Sequence, residues 1–453
     1  MQFLRISLFL IAAHVLAGIS IYGQTSYADF VNNGVALVDA GDIEGAIAHY
    51  NRAIEINPTH PVAYYNRGKA KRIKGDLKGA VSDYNKAIEL EPKFSNVYDG
   101  RGIVKDELGD SKGALEDFES AIKLDPKNPV FLADRGFWKL KNGQLDAAIG
   151  DFNEAIKLAP RFFRAYEQRG QARAMKGDHD GAITDYDAAL AIAPDDFGSI
   201  VNRSISYYFK RDYLAALADC DRAIKLEPGM SDNYLSRGTV YLAMEKLDLA
   251  IADLTKAIEL DPKNFKAIAN RALAYNKKGM QEPALDDLGK AETLKPNNDI
   301  KIDQWRGWAK LYSNDGEGAY NEMAGLLKAN GLKGTDGPYA VIIGYLGLRK
   351  SGKDTAAAGF LNSWLKQLHD EAWTTQVIRY FAGAKTEAQL FALAADSGTL
   401  TEAHVYVGES KLLSGDTKSA LEHFLWVRDK GAKDYNEYPL AIAELKRLES
   451  GTK

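Results

Sequence analysis

Prolines at 58, 92, 126, 160, 194, 228, 262 and 296 stand 34 residues apart, and no other feature limits the folding of this chain so strongly. A fixed period of that length means one supersecondary unit, repeated, whose core is built by stacking each copy on its neighbours. Eight such units run from Tyr27 to Asn298. An alanine row from Ala46 to Ala284 and a second from Ala53 to Ala291 keep the same period without a break. The eighth residue of each unit is small: Gly34, Gly68, Gly102, Gly136, Gly170, Ser204, Gly238 and Ala272. Sixteen residues later stands an aromatic or apolar residue, namely Tyr50, Tyr84, Phe118, Phe152, Tyr186, Cys220, Leu254 and Leu288.

Small residues on facing sides of two antiparallel helices make a groove into which large side chains pack, so each unit reads as a helical hairpin. Gly41-Asp42, Gly75-Asp76 and Gly109-Asp110 supply a residue able to take positive φ at the end of one helix and an N-cap for the next. Each proline then stops the second helix. With unit two reading YYNRGKAKRIKGDLKGAVSDYNKAIELEP, the chain resembles the tetratricopeptide-repeat family in all eight units. That resemblance implies an all-α fold, a right-handed superhelical solenoid of hairpins whose first helices line a concave groove.

The seventh residue of a unit is arginine in seven cases, from Arg67 to Arg271, and an aspartate stands sixteen residues after each, from Asp83 to Asp287. The first unit has Asn33 and His49 and lacks both partners together. That shared exception predicts a salt bridge within each hairpin. The competing reading is a ladder of arginines for carboxylate or phosphate ligands.

Past residue 298 the period degenerates. Two weak repeats fill 299–370, with Arg306, Gly307, Ala319 and Glu322 in the ninth unit and Gly344, Ala356 and Phe360 in the tenth. An irregular helical insert covers 371–400, and a final repeat with a capping helix covers 401–453. A cap is expected because the last repeat of a stack otherwise exposes an apolar face. WTTQVIRYFAGAKTEAQLFALAAD, EAHVYVGESKLLSGDTKSALEHF and EYPLAIAELKRL resemble the NlpI-type bacterial envelope proteins. This resemblance implies a periplasmic adaptor that presents cell-wall hydrolases or a protease and performs no chemistry itself.

No catalytic, cofactor or metal site is readable. The seven histidines form no compact ligand spacing. Gly347 to Asp354 imitates a phosphate loop, but Asp354 replaces the magnesium-binding hydroxyl and no strand precedes it, so a repeat turn is expected. Cys220 falls on the aromatic row and reads as core. A net charge of -4 gives no basic field for nucleic acid. Protein or peptide partners remain. For them the first helices offer an apolar strip of Phe137, Leu140, Met175, Val201, Ile205, Tyr208, Phe209, Leu235 and Leu242. The function expected is a non-catalytic scaffold of the cell envelope. The alternative is a carbohydrate- or cell-wall-handling protein with its site in 371–400, using Trp364 and Trp373 as sugar platforms.

Residues 1–28 have the layout of an export signal, with Arg5 ahead of an apolar run from Ile6 to Tyr22 and small residues before a cut after Ala28; a cut after Gly23 is the second option. An uncleaved membrane anchor is the competing reading, and Ile19 stands where a lipid-accepting cysteine would be needed. Export to the periplasm or beyond, with no membrane span left after cleavage, is the expectation. N-terminal sequencing of the protein isolated from cells checks it: a start near Asp29 or Gln24 agrees, and retained Met1 contradicts it.

Overall fold

The structure is a computed structural model and describes residues 26–294, 300–332, 336–369, 371–433 and 435–451. All regular secondary structure among these is α-helical. The segment 1–25, where most of the export signal is expected, lies outside the described residues. Two compact units are formed, one ending at Ser199 and one beginning at Ile200.

The first unit holds five hairpins: α1 (Tyr27–Asp39) with α2 (Ile43–Ile56), α3 (Pro61–Lys74) with α4 (Leu77–Leu90), α5 (Ser95–Glu107) with α6 (Ser111–Leu124), α7 (Pro129–Lys141) with α8 (Leu145–Leu158), and α9 (Phe163–Met175) with α10 (His179–Ile192). Turn chemistry follows the sequence reading. Gly75 closes α3 at φ 88° and Asp76 accepts a hydrogen bond from the Gly79 amide at 2.9 Å, which starts α4. The small eighth residue is required by contact: a Cβ on Gly68 would sit 2.7 Å from Cε1 of Tyr84, and one on Gly136 would sit 2.7 Å from Cε1 of Phe152. Both rings are almost wholly buried.

Matched charges tie the hairpins as expected. Arg135 donates Nε to Oδ2 of Asp151 at 2.9 Å and Nη2 to Oδ1 at 2.7 Å. Side-on bidentate pairs of this kind recur at Arg67–Asp83, Arg101–Asp117, Arg203–Asp219, Arg237–Asp253 and Arg271–Asp287. Arg169 does the same with Asp185. In the first hairpin, which lacks the pair, His49 instead packs beside Phe30 at 5.8 Å between ring centroids. The guanidinium also does something the spacing did not show. Nη1 reaches back to the preceding hairpin, from Arg67 to Asn51, Arg101 to Asn85 and Arg169 to Asn153, each at 2.6 Å. One arginine thereby fastens its own two helices and the neighbouring pair.

At the N-terminal edge Ser26 caps α1 in a capping box with Asp29. The Tyr27 hydroxyl accepts from the Ala63 amide at 3.0 Å and lies 2.9 Å from Nδ1 of His60. A cut after Ala28 would remove both the cap and this hydroxyl, whereas a cut after Gly23 would keep them.

The second unit begins within α11 (Phe197–Phe209), paired with α12 (Tyr213–Leu226). Then come α13 (Ser231–Ala243) with α14 (Leu247–Leu260), α15 (Phe265–Lys278) with α16 (Gln281–Leu294), α17 (Ile300–Tyr312) with α18 (Gly316–Asn330), and α19 (Asp336–Lys350) with α20 (Asp354–Leu365). The degenerate ninth repeat keeps the clamp in longer form, Arg306 donating to Glu322 at 2.7 Å. The insert is two short helices, α21 (Trp373–Phe381) and α22 (Glu387–Phe391). The final repeat, α23 (Ser397–Leu413) with α24 (Thr417–Lys430), starts four residues before the expected 401 because Asp396 and Thr399 form a capping box. Helix α25 (Glu437–Ser450) closes the stack, burying its own Leu440, Ala441 and Leu445. Among the described residues no helix is long and apolar enough to cross a membrane.

A structural role for the clamp predicts coupling. Arg135→Ala and Asp151→Ala should each lower the melting temperature, and the double-mutant cycle should return about 0.5–3 kcal/mol of interaction. Additive effects in chemical denaturation would contradict pairing.

Candidate functional site

A depression on the first helices of the second unit forms a cavity of about 320 Å³, lined from α11 by Ile205 and Tyr208, from α13 by Leu235 and Thr239, from α15 by Ala269 and Asn270, and from α17 by Trp305. A cavity of about 150 Å³ already holds benzene, so this one has room for a large apolar side chain. Its origin is a gap in the aromatic row. Where the first unit places Tyr or Phe, α12 carries Cys220, and both Cys220 and Ser204 contribute to the wall. Burial pushes the Cys220 thiol up to about 11, so it is an inert wall and not a nucleophile.

The polar lining is largely satisfied from within. Ser204 Oγ donates to the Val201 carbonyl at 2.7 Å, Thr239 Oγ1 donates to the Leu235 carbonyl at 2.7 Å, and Asn270 Nδ2 donates to Thr239 Oγ1 at 3.0 Å. What faces an incoming group is therefore apolar, with the exposed Lys266 in the lining.

Of the strip expected from sequence, Ile205, Tyr208 and Leu235 line this cavity. Phe209, 62% exposed, stands edge-on to Tyr208 with centroids 5.7 Å apart, and Val201 is half-buried on the same helix outside the lining. In the first unit Phe137 and Met175 are exposed on α7 and α9. Leu140 and Leu242 are corrections to the expected groove, being only 3% and 7% exposed. Leu140 packs among Phe152 and Ala172, and Leu242 among Leu254 and Ala274. Both occupy the twelfth position of a unit, where the first helix presses on its own second helix and on the next hairpin. Trp305, Phe265, Thr239 and Asn270 were missed. The signal available for them was the shrinkage of the aromatic row at Cys220.

The tryptophans of the C-terminal segment are partly buried. Trp364 and Trp373 pack against the core, and the Trp373 indole donates to Oε2 of Glu402 at 2.8 Å. Tyr339 donates to Oε1 of Glu402 at 3.0 Å, while Tyr406 donates to the neighbouring buried Glu437 at 2.6 Å. Burial, and then the Glu437 charge, hold the Glu402 carboxyl well above the usual range. Gly347 and Lys350 of the phosphate-loop look-alike belong to α19, and Lys350 is buried at 2.7 Å from Glu409 and 2.6 Å from Glu444. The fold also joins two histidines distant in sequence, His404 and His423, with Nδ1 atoms 2.9 Å apart. Desolvation lowers His404 to about 4, so the pair is neutral and one imidazole donates to the other. Among the described residues no group of three His, Cys, Asp or Glu could hold a metal.

Family models match several of the repeats. A TPR repeat model matches residues 34–71, and tetratricopeptide-repeat models match 61–94, 95–128, 139–197 and 232–264. The chain is a tetratricopeptide-repeat protein. Among solved structures, a tetratricopeptide-repeat protein from Parabacteroides merdae is 21% identical, covering 63% of this chain and 98% of its own at a TM-score of 0.41. The pilF protein of Pseudomonas aeruginosa is 19% identical, covering 46% of this chain and 94% of its own at 0.42. YrrB, described as a TPR protein with an unusual peptide-binding site, is 26% identical, covering 40% of this chain and 92% of its own at 0.32. No curated protein matches.

The Glu402 geometry predicts a pH effect on this tetratricopeptide-repeat chain. The folded state keeps a proton that the unfolded state releases above about pH 4.5, so stability declines as pH rises from there. Glu402→Gln mimics the neutral acid. Its melting temperature should exceed that of the parent at pH 8 and match it near pH 4.5; an equal difference at both values would contradict the burial account.

Proposed function

We propose that the chain is a non-catalytic protein-binding scaffold of the bacterial cell envelope, which seats an apolar side chain of a partner in the cavity between α11, α13, α15 and α17. The carrying observation is that cavity, open on the first helices and lined by Ile205, Tyr208, Leu235 and Trp305. Tetratricopeptide repeats commonly serve protein binding, and Thr239 and Asn270 in the lining bond to the Leu235 carbonyl and to each other, which leaves the apolar side chains as the larger part of the exposed wall. Envelope location rests on the export-signal layout of residues 1–28 and on the resemblance of the last repeat to NlpI-type adaptors. Cell-wall hydrolases or a periplasmic protease are the partners that this resemblance implies.

Ile205 and Phe209 are 42% and 62% exposed, so replacing both with serine should leave helical content and melting temperature close to the parent. Burying one such side chain in a partner is worth roughly 1.5–3 kcal/mol, so the double change should weaken capture of envelope proteins by about a hundredfold. Unchanged capture in quantitative affinity chromatography would remove the cavity from the binding surface.

A further inference from the structure

We propose that the first unit carries a second, polar binding site, built on Asp99, Asp134 and Gln168, which takes a lysine or arginine side chain of a protein partner. The inference rests on the scaffold reading above. The three residues belong to α5, α7 and α9, first helices that pack side by side in consecutive hairpins. Asp134 and Gln168 hold the same position of the repeat, and Asp99 stands one place earlier.

Their oxygens are short of donors. Asp99 is 8% exposed, yet its Oδ1 receives no hydrogen bond, and the buried Oε1 of Gln168 receives none either. The neighbour of the Asp99 carboxyl is another carboxyl, that of Asp134. Two facing acceptors need something positive between them, either a proton or a cation. In the free protein it is a proton, since burial and the second carboxyl hold Asp99 above the usual range.

The surrounding cations are engaged elsewhere. On α3, Arg72 donates to Glu107 at 2.9 and 2.6 Å, and Lys69 lies over the Tyr65 ring at 5.6 Å. On α9, Arg164 lies over the Phe163 ring at 6.0 Å. Arg72 and Arg164 favour ionisation of Asp134, while burial and then Asp196 raise the Glu167 carboxyl on α9 above its ordinary value. Tyr65 and Tyr84 complete the wall as neutral phenols. An ammonium or guanidinium brings several donors and no acceptor, which complements this set. A divalent metal is a poorer match, because the described residues bring no third acid, histidine or cysteine to the pair. Binding is an exchange: the partner's cation enters, the shared proton leaves to solvent, and affinity rises with pH.

The test uses the full chain and labelled nonapeptide pools, randomised except for a central Arg, Lys, Leu or Glu, with binding read by fluorescence anisotropy. At pH 8 the Arg and Lys pools should bind about tenfold or more tighter than the Glu pool, and the preference should shrink at pH 5.5. Asp99→Asn with Asp134→Asn, or Asp134→Asn alone, should abolish the preference and leave the Leu pool unaffected. Equal binding of basic and acidic pools, or a preference that survives the substitutions, overturns the site. Calcium chloride binding that the substitutions abolish overturns the basic occupant in favour of a metal. Leu-pool binding sensitive to Ile205→Ser leaves the scaffold reading standing whatever the basic pools do, whereas binding by no pool at all defeats both.

Discussion

The bidentate contact between an arginine on the first helix of a hairpin and an aspartate on the second is the interaction on which the repeats depend. Asp83, Asp117 and Asp185 are almost fully buried, so each carries a desolvation cost that the bidentate arginine offsets, and loss of either partner unbalances a buried charge. Lys71 and Lys105 add a second cation to Asp83 and Asp117, as Lys139 does to Asp151 and Arg173 to Asp185, at 2.8 to 2.9 Å. In Arg67, Arg101 and Arg169 the remaining guanidinium nitrogen binds an asparagine of the preceding hairpin, which makes these clamps joints between neighbours. A stack held this way is stabilised by nearest-neighbour terms and needs no long-range chain crossing.

Against that regular frame, binding capacity comes from departures. Wherever glycine faces Tyr or Phe the hairpin is filled. At Ser204 and Cys220 the ring is gone, the hairpin loses volume, and a cavity opens toward the first helices of the next repeats. The first unit departs differently. Its hairpins are filled, and the irregularity is polar, with Asp99 placed where most other repeats carry an apolar residue and Asp134 at a position that is Asn, Gln, Ser or Gly elsewhere.

Much of this was legible in the sequence. The 34-residue period located the helices, the Gly-Asp pairs located the turns, and the joint absence of arginine and aspartate in the first repeat separated the clamp from a ligand ladder. What periodicity could not show was which neighbour a side chain meets. Leu140 and Leu242 lie on the same helices as Phe137 and Leu235, but the twelfth position faces the next hairpin, and that angle depends on packing between repeats. The reach of Arg67 to Asn51 was hidden for the same reason. In the C-terminal part the buried contacts of Lys350 with Glu409 and Glu444 join residues from non-adjacent helices, and His404 meets His423 across a single hairpin. Trp373, exposed in a reading by composition, is held by Glu402, whose burial only the fold reveals.

The central claim is that partners meet the first helices of the second unit and not the outer surface of the second helices. Site-specific photo-crosslinking tests it most directly, with benzoylphenylalanine placed either at Ile205, in the cavity wall, or at Lys256, exposed on α14. The account predicts crosslinked partner from position 205 and none from position 256. Crosslinks from 256 alone would contradict it.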